Sequence, residues 1–349
     1  MSRAVAIAGR RIGPEHPPYV ICELSGNHNG SLERALALLD AAAATGCDAV
    51  KLQTYTPDTI TLDHDGPQFR IEGGPWDGRT LYDLYGEAHT PWDWHEALFA
   101  RARALGVTLF STPFDETALE LLERLGAPAY KIASFEAVDL PLIAEVARLK
   151  KPMIVSTGLA SLDEIGAAAE TARANGCDEL ILLHCVSAYP APVAEANVRT
   201  VPDLAERFGC VAGLSDHTLG AAAAVASIAL GGAVVEKHFT LSRADGGPDA
   251  GFSLEPHEFA ALVRDCKDAW AALGRVHYDL KGSEAANARF RRSLYVVADV
   301  AAGAVLDRTS VRSIRPGFGL PPGALPSVLG RAAARDLKRG EALSWDMIA

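Results

Sequence analysis

From Tyr19 to His238 the chain repeats one pattern. A short run of β-branched and aliphatic residues ends in polar side chains, and an Ala/Leu/Glu-rich segment with apolar residues at helical spacing follows. The runs Tyr19–Glu23, Ala49–Gln53, Thr108–Thr112, Ala129–Ile132, Met153–Ser156, Leu180–His184, Val211–Ser215 and Val234–His238 read as strands. Leu32–Thr45, Glu116–Leu125, Leu162–Asn175 and Ala221–Leu230 read as helices, stopped near Gly46, Gly126, Gly176 and Gly231. Eight strands alternating with helices predict an α/β fold, the (β/α)8 or TIM barrel. Thr54 to Trp94 breaks the pattern: rich in Pro, Gly, Asp and aromatics, it reads as an active-site loop rather than a crossover helix. After Gly274 the character changes to polar and basic, then to short strands and turns around Arg315-Pro316-Gly317-Phe318-Gly319. The pattern therefore divides the chain into a catalytic barrel at 1–278, a linker at 279–290 and a small β-rich domain at 291–349. The last has apolar residues for only a marginal core, so docking on another surface is expected.

Composition narrows the class. The 349 residues are 49% hydrophobic, as in soluble globular proteins, and no stretch reaches the ~18 apolar residues of a membrane span. No basic segment followed by an apolar stretch opens the chain, which points to a cytoplasmic protein away from membranes. Cys22, Cys47, Cys177, Cys185, Cys210 and Cys266 lack CxxC spacing and read as reduced core residues. A net charge of −11 argues against nucleic acid as a partner.

The chemistry sits at the strand ends, which a barrel gathers at one mouth. In order they carry Glu23, then Lys51 and Gln53, Thr112, Lys131 with Ser134 and Glu136, Ser156 and Thr157, His184 and Ser187, Ser215 with His217, and Glu236 with His238. His217 in Gly-Leu-Ser-Asp-His-Thr and His238 in Glu-Lys-His-Phe-Thr end two consecutive strands. Two neutral imidazoles with carboxylates at Glu23, Asp216 and Glu236 nearby suit a divalent metal. Lys51 and Lys131 among Ser and Thr hydroxyls suit a small anion such as phosphate.

These segments carry a resemblance. Glu23-Leu24-Ser25-Gly26-Asn27-His28-Asn29-Gly30, Lys51-Leu52-Gln53-Thr54, Ser111-Thr112-Pro113-Phe114-Asp115, Lys131-Ile132-Ala133-Ser134, Ser156-Thr157-Gly158 and His184-Cys185-Val186-Ser187-Ala188-Tyr189-Pro190, with both histidine motifs, resemble the sialic acid synthase family. The resemblance implies condensation of phosphoenolpyruvate with an N-acetylated amino sugar to a nine-carbon keto acid. It implies that His217 and His238 hold the metal, Mn²⁺ with Mg²⁺ or Co²⁺ as alternatives, and that Glu23, Glu136 and Glu236 serve catalysis. Lys51, Gln53, Thr112, Lys131, Ser134, Phe135, Ser156, Ser187, Tyr189, Ser215, Asp249 and Arg315 would bind substrates. The C-terminal segment is similar to the antifreeze-like, or SAF, domain that completes the active site of the partner subunit, which implies a homodimer with exchanged C-terminal domains.

Within the family, Tyr55 to Asp63, Trp76 to Tyr82 and Ala133-Ser134-Phe135-Glu136 look most like the pseudaminic acid branch. Phe135 and Ser187 stand where neuraminate synthases carry Gly and commonly Asn, and Ala250 follows Asp249 where His is usual. A pocket with Phe135, Trp76 or Tyr82 suits a 6-deoxy, diacetamido sugar. The alternatives are a neuraminate or legionaminic acid synthase taking an N-acetylmannosamine-type sugar, or a related synthase acting on a phosphorylated sugar. The last would need a second cationic site, for which 54–94 offers Arg70 and Arg79 but no cluster. Ice binding by the C-terminal domain conflicts with its arginines.

Overall fold

The chain, described for residues 4–349 in a computed structural model, opens with a hairpin of two three-residue strands, β1 (Val5–Ile7) and β2 (Arg10–Ile12). Eight parallel strands then close into a barrel: β3 (Tyr19–Glu23), β4 (Ala49–Thr54), β5 (Thr108–Pro113), β6 (Tyr130–Ile132), β7 (Met153–Ser156), β8 (Leu180–Cys185), β9 (Val211–Asp216) and β10 (Val234–His238). Pairing of β10 with β3 completes the ring, with His238 opposite Glu23. All eight strands read from the sequence are present, with ends within one residue.

Side chains alternate across each strand, and the apolar ones sort into two groups. Tyr19, Ile21, Ala49, Phe110, Ile154, Ile181, Leu183, Val211 and Val234 pack with Val5, Ile7 and Ile12 of the hairpin. Val20, Cys22, Val50, Leu52, Leu109, Val155 and Val235 pack instead with helix residues such as Leu38, Leu98, Leu122 and Phe259. The first group fills the barrel interior, and the hairpin plugs the end where β3 begins. Helices coat the second group. Leu32–Ala44 starts at the Ser31 cap, Glu116–Leu125 at Asp115, and Leu162–Ala174 at a Ser161/Glu164 capping box. The glycines expected to stop helices, Gly46, Gly126, Gly176 and Gly231, all have positive φ. Gly213 has a different reason to be glycine: a Cβ there would lie 2.1 Å from the Val234 carbonyl oxygen, so β9 and β10 meet only without one.

The segment 54–94, read as an active-site loop rather than a crossover helix, carries short elements of its own. It contains helices Pro57–Ile60 and Leu81–Ala88 and three 3-10 turns, and the crossover helix His95–Leu105 follows it. The last strand is followed by the long helix Pro256–Leu273. All six cysteines are unpaired and buried. Among the described residues no helix is long and apolar enough to cross a membrane.

The chain divides into two compact units, 1–274 and 275–349. The stretch read as a linker holds a 3-10 helix, Gly282–Phe290, and falls in the second unit. That unit pairs β11 (Ser293–Val296) with β12 (Val311–Ile314) antiparallel. It has its own core of Leu294, Val296, Leu306, Val311, Val328, Leu337 and Leu343, better filled than the apolar content suggested. Arg315 follows β12 directly and is exposed.

Candidate active site

At the C-terminal ends of the barrel strands the interior changes from apolar to charged. Two residues beyond Ile21, Ala49, Phe110, Ala129, Ile154 and Val234 on the same face come Glu23, Lys51, Thr112, Lys131, Ser156 and Glu236, all buried. Four of them form a charge-balanced quartet. Lys51 Nζ lies 2.6 Å from Glu23 Oε2 and 3.5 Å from Glu236 Oε1, and Lys131 Nζ lies 3.8 Å from Glu236 Oε1. Gln53 Nε2 donates to Glu23 Oε1 at 2.9 Å, and Lys51 Nζ donates to Thr112 Oγ1 at 3.1 Å. Burial opposes the charge on Lys51, but Glu23 and Glu236 outweigh it and hold its pKa above the ordinary lysine value. Burial wins at Lys131, whose pKa falls despite Glu236. Glu236 is held below its usual range, burial being overcome by Lys131 and Lys51. Lys51 is therefore committed to protein partners, while Lys131 makes one hydrogen bond, to the Ile132 carbonyl at 3.1 Å.

Several hydroxyls share these strand ends with Lys131. Buried Ser156 Oγ has no hydrogen-bond partner. Ser134 and Ser187 face each other so closely across Gly158 that a Cβ there would sit 2.8 and 2.2 Å from their oxygens. Ser215, at an inward position of β9, is buried. Glu136 stands apart from the quartet, with Oε2 buried and unpartnered, and burial lifts its pKa to about 7 against the pull of Lys131. Its neighbour Phe135 is 57% exposed, so it does not pack beneath the mouth.

His217 and His238 come together, ring centroids 5.3 Å apart. His217 Nδ1 donates to the Val186 carbonyl at 3.0 Å, which leaves Nε2 for a ligand. His238 Nδ1 is buried without a hydrogen bond, 4.0 Å from Asp249 Oδ2, and burial with the nearby cations keeps the ring neutral. Burial also works against charge on His217, but Cys185 Sγ at 3.7 Å outweighs it and raises the pKa. Asp249 is fixed by a hydrogen bond from Ser25 Oγ. An aromatic wall flanks the pair: Tyr189 is 4.5 Å from His217, Phe252 5.0 Å from His238, and Trp76 5.5 Å from Tyr189, ring centre to ring centre. Trp76 Nε1 donates to the Pro248 carbonyl at 2.8 Å, joining the 54–94 segment to the loop bearing Asp249. A cavity of about 490 Å3 opens there, lined by Trp76, Arg79, Pro190, Pro248 and Phe252.

Two strand-end residues face the other way. Asp216, read as a carboxylate near the metal, points outward and pairs with Lys237 Nζ at 2.7 Å, and half-buried His184 bonds the Ala196 carbonyl at 2.8 Å. The period-two alternation of their strands accounts for both. Phe252, Ser25 and Cys185 at the site were not singled out in the sequence. Cys185 shares the inward face of β8 with Ile181 and Leu183, a signal alternation offers, whereas Phe252 and Ser25 lie on loops without period. Among the described residues no three His, Cys, Asp or Glu side chains form a metal cage. Two imidazoles beside an open cavity nevertheless fit a catalytic divalent ion whose other positions belong to water and substrate.

Comparison with known proteins agrees with this geometry. The chain is 43% identical over 325 residues to the pseudaminic acid synthase of Campylobacter jejuni, covering 93% of this chain and 95% of that one. It is 33% identical to the N,N'-diacetyllegionaminic acid synthase of Legionella pneumophila, covering 95% and 94%. The crystal structure of an N-acetylneuraminic acid synthetase from Leptospira borgpetersenii, in complex with citrate, superposes with a TM-score of 0.73 at 29% identity, covering 82% of this chain and 95% of that one. Residues 291–349 match the SAF domain and residues 38–278 match the NeuB family, so the chain belongs to the NeuB family.

Proposed function

We propose that the chain is a pseudaminic acid synthase, condensing phosphoenolpyruvate with 2,4-diacetamido-2,4,6-trideoxy-L-altrose and water to give pseudaminic acid and phosphate. The observation that carries this reading is the mouth of the barrel. A buried lysine and the buried, unpartnered Ser156 hydroxyl lie at the strand ends, and so do two imidazoles beside an aromatic wall. Higher identity to the Campylobacter jejuni synthase than to the Legionella pneumophila one supports the choice of sugar, and so does the wall. Trp76, Tyr189 and Phe252 give the sugar's 6-methyl and acetamido methyl groups an apolar contact that a hydroxyl would lose.

In the reaction, carbon 3 of phosphoenolpyruvate forms a bond to the aldehyde carbon of the open-chain sugar. Carbon 2 then takes a water, and phosphate leaves as its bond to carbon 2 breaks. Lys131, with Ser134, Ser156, Ser187 and Ser215, holds the phosphate and carboxylate, and Lys51 with Thr112 and Gln53 keeps the quartet rigid. A divalent ion, Mn²⁺ or alternatively Co²⁺ or Mg²⁺, held by His217 and His238, would supply Lewis-acid polarisation of the aldehyde oxygen. Glu23 and Glu236 are tied to lysines, which leaves Glu136, with a pKa of about 7, to take the proton of the attacking water. Asp249, oriented by Ser25, meets the sugar hydroxyls. Arg315 comes from the exchanged domain of a homodimer and grips a carboxylate or acetamido group with its planar fork. We place the reaction in the cytoplasm.

Incubation with both substrates and Mn²⁺ should release phosphate and one equivalent of the nine-carbon acid, identified by mass and NMR. EDTA should stop turnover and Mn²⁺ or Co²⁺ restore it. Metal-free protein that turns over at the full rate would remove the Lewis-acid role, and absence of both products under any metal would remove the assigned activity.

A further inference from the structure

The outward-facing pair Asp216 and Lys237 has no access to substrate, yet it lies one residue from each of the two histidines. The two are direct cross-strand partners in β9 and β10. Lys237 Nζ contacts Asp216 Oδ2 at 2.7 Å and the Thr218 carbonyl at 2.6 Å, while Asp216 Oδ1 accepts from the Thr218 N–H at 2.9 Å. One ammonium thus binds both residues flanking His217 from the residue preceding His238. Both side chains are 1% exposed, in the layer where Val235, Phe239 and Cys266 pack.

An ion pair is a poor choice there for stability, because well-packed apolar residues of similar volume serve as well or better. What apolar residues cannot supply is direction, and metal ligands must be placed to within a few tenths of an ångström. We propose that Lys237 and Asp216 are positioning residues that set the separation and orientation of His217 and His238 for the divalent ion. The proposal rests on the metal role assigned above. His238 still pairs with Glu23 of β3 and Thr218 bridges Ala191, but the β9–β10 ladder ends at Lys237 and Asp216, so strand pairing does not join the two histidines to each other; the clamp does, with Lys237 holding the Thr218 carbonyl beyond the end of β9.

The test separates positioning from stability. D216N/K237M removes both charges together, so neither is stranded, and the amide oxygen introduced by D216N still accepts from the Thr218 N–H. The melting temperature of this variant should stay within a few degrees of wild type. Its affinity for Co²⁺, titrated calorimetrically in the absence of substrates, should fall 10- to 100-fold, the range for residues that orient ligands. The Co²⁺ absorption spectrum should shift, and kcat should fall with the KM for phosphoenolpyruvate unchanged. Should that variant not fold, D216N/K237Q, which keeps a neutral hydrogen-bonded pair, is read in the same way. Co²⁺ affinity and spectrum within threefold of wild type in a folded variant would overturn the proposal. Wild-type protein that binds no Co²⁺ would instead overturn the metal site, and the positioning role with it.

Discussion

The two lysines of the barrel mouth look alike in sequence and differ in what holds them. Lys51 is bound to Glu23, Glu236 and Thr112, so Lys51→Met leaves buried carboxylates unpaired. Denaturant unfolding should show a loss of about 3 kcal/mol, the cost of stranding a buried charge. Lys131 lies farther from its carboxylate, and Lys131→Met should fold nearly as well while phosphoenolpyruvate binding weakens by at least ~1.5 kcal/mol, about tenfold. Equal loss of stability in both variants would contradict the division of labour. Glu136 gives a pH signature. As the base for water it works ionised, so kcat should fall as pH drops through about 7, and Glu136→Gln should abolish that inflection with a loss of roughly 10²-fold or more. Its stability effect has the opposite sense. Folding raises this carboxyl from 4.5 to about 7, so the stability it contributes is present below 4.5 and lost as pH rises through 7. Glu136→Gln should therefore melt higher than wild type at pH 8. The residue types were legible in the sequence because Lys and Glu at the ends of apolar runs that are buried need partners, and several of them gather at one barrel mouth. Their pairing was not, since which lysine meets which carboxylate depends on the register between strands.

At the scale of elements, the strands were read to within a residue because buried parallel strands are short aliphatic runs bounded by polar ends. The hairpin at Val5–Ile12 escaped, its strands of three residues being too short to show a period. Within the 54–94 segment, read as an active-site loop, the helices of four and eight residues were not legible, being held by contacts such as Trp76 to Pro248 rather than by their own pattern. The facing of Asp216 and His184 was legible, for strict alternation from Ser215 and Leu183 assigns both to the outer layer. The seam between β9 and β10 is the element on which the metal pair depends. Gly213→Ala would drive a methyl into the Val234 carbonyl, and since that atom is backbone, the strands themselves must part. We expect a drop in melting temperature of several degrees and, in whatever folds, weaker Co²⁺ binding. A variant with wild-type melting and metal affinity would show that the seam yields without cost.

For the whole molecule, a change in composition placed the end of the barrel at 278, four residues past the division at 274, but the exchange of domains proposed above is a property of two chains and no single sequence pattern encodes it. It predicts complementation. Lys131→Met and Arg315→Ala proteins, each impaired at low phosphoenolpyruvate, should regain activity on subunit exchange, because each heterodimer then has one site with an intact barrel and an intact Arg315. Confirmed heterodimers no more active than the parents would place Arg315 in its own chain's site or outside catalysis. The choice of sugar is the central claim, since it sets this chain apart from the legionaminic acid and neuraminic acid synthases that it also resembles. It is tested most directly by kcat/KM for three acceptors with saturating phosphoenolpyruvate and Mn²⁺: 2,4-diacetamido-2,4,6-trideoxy-L-altrose, the corresponding N-acetylated sugar of legionaminic acid synthesis, and N-acetylmannosamine. A preference of at least tenfold for the first, the scale of one lost apolar contact or more, is the predicted result. Equal or greater kcat/KM with either of the others would contradict it.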